Sequence, residues 1–76
     1  MDALEAALAV LRAAGEPLHW TVIQDRALRQ GLLDPFGDPN VRGRLLAALH
    51  DGVRAGEIEK TGTGVYALAP ARPKPD

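Results

Sequence analysis

The 76-residue sequence predicts an α+β domain of winged helix-turn-helix architecture, with three helices and a small antiparallel β-sheet in the order α-β-α-α-β-β. Three observations predict it. From Pro39 to about Ala55 the chain has Pro at a helix's first position, apolar residues at helical spacing and Gly56 just past the end. Beyond it, Glu57-Ile58-Glu59-Lys60 and Val65-Tyr66-Ala67-Leu68 alternate in polarity around Thr61-Gly62-Thr63-Gly64, the pattern of a hairpin. Ahead of it stand two shorter helical patterns, each followed by a glycine, Gly15 and Gly31.

The first helix starts at Asp2 as N-cap and reaches about Ala14, with Leu4, Leu8 and Leu11 at i, i+4, i+7 and Ala3, Ala7 and Ala14 widening the apolar stripe. Gly15 stops it, and Glu16-Pro17 prevents continuation because the residue before proline avoids the helical region. Leu18-His19-Trp20 reads as a short extended run that completes the sheet, with Trp20 in or at the edge of the core. Thr21 with Gln24 forms a capping box that opens a second helix from Val22 to about Gln30, with Ile23, Ala27 and Leu28 inward. The connection Leu32-Leu33-Asp34-Pro35-Phe36-Gly37 is apolar enough to pack down, with Leu33 and Phe36 as its core residues.

Asp38-Pro39 supplies N-cap and N1 for the third helix. On a wheel of about 100° per residue, Val41, Leu45, Leu49 and Val53 share one side with Ala48 and Gly52, while Asn40, Gly43, Arg44, Ala47, Asp51 and Arg54 face away. In the hairpin, Ile58 is matched to inward Tyr66 and Leu68, and Gly62 and Gly64 serve the positive φ angles of a tight turn. Residues 1–69 therefore read as the domain. Residues 70–76, with Pro70, Pro73 and Pro75, read as a flexible proline-rich tail.

Composition narrows the function classes. A chain this short buries only about 60% of the surface it exposes when unfolded, so it holds one core of modest stability. With 46% apolar and 25% charged residues it resembles ordinary globular chains. It has no cysteine, hence no disulfide or thiolate metal site, which fits a cytoplasmic location. No apolar run approaches the roughly 20 residues that cross a bilayer. The net charge is −1 but uneven: three basic against six acidic residues in 1–38 give −3, and six basic against four acidic in 39–76 give +2. The positive half carries the third helix and the hairpin, where a nucleic-acid reader needs its cations.

Asn40, Arg42, Gly43, Arg44, Ala47 and Arg54 are the third helix's candidates for contact with duplex DNA, since Arg and Asn pair with guanine and adenine edges in the major groove. The contrasting reading is a solvated helix face on which Asp51 and Arg54 pair at i,i+3. Lys60, Thr61 and Thr63 at the hairpin tip are candidates for a flanking phosphate or the minor groove, against the plainer reading of a tight turn beside Glu57 and Glu59. His19 and His50 have no third ligand at zinc spacing, and His50 belongs at the edge of the apolar stripe, partly buried. No nucleophile stands with a base, no phosphate loop is present, and the domain is too small for a ligand pocket of several hundred Å³. Neither catalysis, cofactor nor small-molecule ligand is expected.

Ala-Leu-Ala-Val-Leu from Ala7, Pro-Leu-His-Trp-Thr-Val-Ile from Pro17 and Gly-Glu-Ile-Glu-Lys-Thr-Gly-Thr-Gly-Val-Tyr-Ala-Leu from Gly56 carry a further reading. Over Leu4 to about Ala69 the chain resembles the HARE-HTH family of winged-helix domains. That family includes the N-terminal domain of the bacterial RNA polymerase delta subunit and domains attached to chromatin proteins, restriction endonucleases and other DNA-processing enzymes. The resemblance implies a non-enzymatic recognition module in transcription or DNA processing. Its partner would be duplex DNA or, alternatively, RNA polymerase or another nucleic-acid enzyme docked through the apolar and acidic surface of the first two helices.

Overall fold

A computed structural model describes residues 2–37 and 39–70. Its elements are α1 (Ala3–Ala14), β1 (Leu18–His19), α2 (Trp20–Arg29), α3 (Val41–Arg54), β2 (Ile58–Gly62) and β3 (Val65–Leu68). The strands form one antiparallel sheet in the order β1-β3-β2, the winged-helix plan expected from the sequence. Leu18 pairs with Tyr66, Ile58 with Leu68 and Lys60 with Tyr66, so the buried side chains of Leu18, Ile58 and Tyr66 belong to one face of the sheet, turned to the helices. α1 packs on α2 and α3, and α3 packs on β2.

α1 begins as its sequence dictates: the Asp2 carboxylate accepts from the Glu5 backbone N–H at 2.8 Å, and Gly15 closes the far end at φ 67° with its N–H on the Leu11 carbonyl. The buried stripe is rotated from the expected one. Ala6, Ala7, Val10 and Leu11 are the buried residues, whereas Leu4 and Leu8 flank the core half-buried. Three surfaces press on this helix, and the small Ala6 and Ala7 let α2 and α3 approach it closely.

Two helix starts depart from expectation. α2 opens one residue before Thr21, because His19 is the N-cap: its Nδ1 lies 3.3 Å from the Thr21 backbone N–H and 2.8 Å from the Thr21 hydroxyl. The Trp20 N–H is taken by the Gly64 carbonyl at 2.9 Å, so the hairpin itself helps to start the helix. The Thr21–Gln24 box is therefore not formed, and the Gln24 Oε1 is buried without a hydrogen bond among the described residues. α3 is capped by Asn40, whose Oδ1 accepts from the Gly43 N–H at 3.3 Å; Pro39 precedes the cap, and Asp38 lies outside the described residues.

The α2–α3 connection is tied down by the Leu32 and Leu33 N–H groups, both donating to the Ala27 carbonyl, and both leucines pack on the core. Phe36 does not. It is 96% exposed, correcting its expected core position. The Phe36 N–H donates to Asp34 Oδ1 at 2.9 Å, a turn around Pro35 that leaves the ring in water while Leu32 and Leu33 pack on the core.

In the hairpin only Gly64 takes a positive φ, 71°; Gly62 belongs to β2, where the register shifts between Lys60 and Gly62 and leaves Thr61 as the extra, bulged residue. The core centres on Leu11, Ile23, Leu45 and Leu49, with Ile58 and Tyr66 closing it from the sheet. Pro70 ends the described chain, so the expected tail over 71–76 lies outside the described residues.

Candidate nucleic-acid interface

α3 turns Leu45, Ala48, Leu49 and Gly52 inward. At about 100° per residue, the row directly opposite is Gly43, Ala47, His50 and Arg54. Ala47, His50 and Arg54 are exposed and Gly43 is half-buried. His50 therefore belongs to the outward row, correcting its expected place at the edge of the apolar stripe. Its signal was present in the sequence, since it follows Gly43 and Ala47 at i+7 and i+3.

Gly43 is small for a local reason. A Cβ there would sit 2.6–2.9 Å from the Asn40 side chain, which needs that space to cap the helix. Asn40 thus covers Gly43, and Ala47 one turn on is the exposed low point of the row. Arg54, at the other end of the row, holds Asp51 Oδ1 at 2.8 Å, with side chains 81% and 61% exposed. An ion pair so exposed contributes less than about 1 kcal/mol and opens readily to a competing phosphate.

The flanks of α3 differ. On one flank the Arg42 guanidinium lies 5.1 Å from the Trp20 ring centroid, a cation–π contact. Trp20 in turn stands 5.8 Å from the His19 ring and is tied through its N–H to the Gly64 carbonyl, so Arg42 is held beside the hairpin turn. No spacing rule links residues 20, 42 and 64, and this cluster is invisible in the sequence. Arg44, on the other flank, lines a groove with Asp2, Asp34 and Asp51, among others. Lys60 lines a separate groove with Val53, Ile58 and Glu59. Thus Arg42 gathers with the wing, whereas Arg44 and Lys60 line different grooves.

Lys60, Thr61 and Thr63 are all exposed on the wing, with the bulge at Thr61 and the turn at Thr63-Gly64 making its tip. Asn40 is exposed at the start of α3, engaged as its cap. The groove beside Arg44 measures about 600 Å³ and that beside Lys60 about 540 Å³, larger than expected of so small a domain, but both are open to solvent. Among the described residues no three His, Asp or Glu side chains are placed to hold a metal ion, and no helix is long and apolar enough to cross a membrane.

The arrangement is thus an exposed helix with a low central row, a cation at its C-terminal end, and a cation and a bulged hairpin on one flank. The family model for HARE-HTH, described as a helix-turn-helix domain of ASXL and restriction endonuclease proteins among others, matches residues 1–70. Comparison with curated proteins and with solved structures returns no match.

Proposed function

The chain belongs to the HARE-HTH family of winged-helix domains, and from that premise we propose that it is a non-catalytic cytoplasmic module that binds duplex DNA, weakly to moderately, in transcription or DNA processing. In this reading α3 lies toward the major groove with Gly43, Ala47, His50 and Arg54 facing the bases or their phosphates, and the wing residues Lys60, Thr61 and Thr63 flank it. The observation that carries it is the α3 row itself: Ala47, His50 and Arg54 are exposed along it, and Arg54 is engaged by a solvent-exposed pair with Asp51. Arg42, propped on Trp20 beside the wing, adds a cation on the same flank. Arg44 and Asn40 extend the surface, Arg44 with carboxylates close to it and so with the smallest expected share. The low net charge sets the moderate affinity, because counterion release scales with the number of phosphates neutralised.

The test is fluorescence anisotropy of a labelled duplex across a salt series. Arg54→Ala and Lys60→Ala should each weaken binding several-fold and make the log–log salt slope shallower by about 0.9, the value for one lost phosphate contact. Binding and slope unchanged in both variants would overturn the proposed surface.

A further inference from the structure

The α2–α3 connection leaves its aromatic side chain in water. Phe36 is 96% exposed although Leu32 and Leu33 of the same connection pack on the core. Beside it runs the groove of about 600 Å³, whose lining includes Asp34 and Gly37, two positions before and one after Phe36. Leu4, Leu33, Val41 and Ala48 supply its apolar surface. A ring standing free at the margin of an apolar groove is the combination found where interfaces anchor, since aromatic residues dominate binding energy once a partner excludes water.

Charge selects the partner. Asp2, Asp34 and Asp51 also line the groove and are exposed, and Arg44 is the only basic residue lining it among the described residues. Asp2 is held in place by the Glu5 N–H and Asp34 by the Phe36 N–H, so both charges stand at fixed positions before any partner arrives. The Asp2 and Asp34 carboxylates favour a cationic partner over a polyanion on this flank. A second copy of the chain would set like carboxylates against one another, because a two-fold contact repeats the same patch on both sides.

We propose that Phe36 and this groove form a docking site for a basic amphipathic segment of another protein, which places apolar side chains against Leu4, Leu33 and Val41 and Lys or Arg beside Asp2 and Asp34, the Asp51 carboxylate being already paired with Arg54. The groove takes one flank of α3 as far as Ala47 and leaves Gly43, His50 and Arg54 of the outward row uncovered. The inference stands on Phe36 and the groove and does not depend on DNA being bound.

The experiment titrates a synthetic amphipathic Leu/Lys peptide of about four helical turns into the 15N-labelled chain, with a Leu/Glu peptide of the same pattern as comparison. Shifts confined to the amides of Phe36, Gly37, Val41 and Ala48 are expected with the Leu/Lys peptide and none with Leu/Glu. Phe36→Ala should weaken binding about tenfold, as removal of an anchoring aromatic does, with an unchanged spectrum elsewhere because the ring makes no core contact. Lys60→Ala should bind as the parent does. Three results overturn the proposal: no saturation up to about 1 mM peptide, equal binding of the Leu/Glu peptide, or shifts centred on Gly43, His50, Arg54 and the wing. Concentration-dependent dimerisation abolished by Phe36→Ala would overturn it as well, assigning the groove to a second copy.

Discussion

Replacing Gly64 by Ala tests the wing at the point where it meets α2. Gly64 has φ 71°, a conformation that costs an L residue about 1–2 kcal/mol. Its Cβ would also stand 2.8 Å from His19 Nε2 and 3.2 Å from Trp20 Cδ1. Neither ring yields freely: His19 caps α2 through Thr21, and a lost cap costs about 1 kcal/mol, while Trp20 carries Arg42. Backbone and contact together predict a loss of about 2–3 kcal/mol. For a domain of this size that lowers Tm by about 10–20 °C. Two further variants separate the causes. Gly15→Ala has a like φ, 67°, with nothing within 4 Å, and should show only the backbone part. At Gly62 φ is not positive and the nearest atom is 3.8 Å away, so Gly62→Ala should change stability by less than about 0.5 kcal/mol. Thermal and urea unfolding followed by circular dichroism measure all three. If Gly64→Ala proves no worse than Gly15→Ala, the contact of the wing with His19 and Trp20 is refuted; if it matches Gly62→Ala, the turn itself is.

Gln24→Met keeps the volume and removes an amide oxygen that is buried without a partner, so it should stabilise the domain by about 1 kcal/mol in urea unfolding; a loss of stability would show that the oxygen is hydrogen-bonded. Asp51→Asn removes one negative charge beside the proposed DNA surface and releases Arg54 from its ion pair. It should tighten duplex binding several-fold in anisotropy titrations while changing stability by less than about 1 kcal/mol; weaker binding would place Arg54 away from the phosphates. Phe36→Ser should leave Tm unchanged, and a fall of several degrees would return that ring to the core.

The elements that local chemistry controls were legible without coordinates. Asp2 and Gly15 bracket α1 because a carboxylate three residues before an amide, and a glycine free to adopt positive φ, act through their immediate neighbours. The inward row of α3 followed from periodicity, with Leu45, Ala48, Leu49 and Gly52 buried and Val41 and Val53, expected in the same row, half-buried. The errors arose where another group, near or distant, took the place a residue was expected to fill. Thr21 lost the cap of α2 because the Gly64 carbonyl binds the Trp20 N–H and draws the helix two residues earlier. Phe36 had the hydrophobicity of a core residue, but Leu32 and Leu33 of the same connection pack on the core and Phe36 stays in water. Of the interface candidates, Arg54, Ala47 and Gly43 were placed by the wheel; Arg44 came to line an acid-bearing groove whose Asp2 lies 42 positions earlier in the chain.

Alone, the sequence determined the number, order and type of the elements and the family, because caps, turn residues and hydrophobic period act over a few residues. Tertiary structure decided which exposed side chains share a surface: Arg42 with Trp20 and the wing, Arg44 with Asp2 and Asp34, Phe36 with the groove. Those neighbours are brought together only when helices and sheet close on one core, where volume already occupied by one residue is denied to the next.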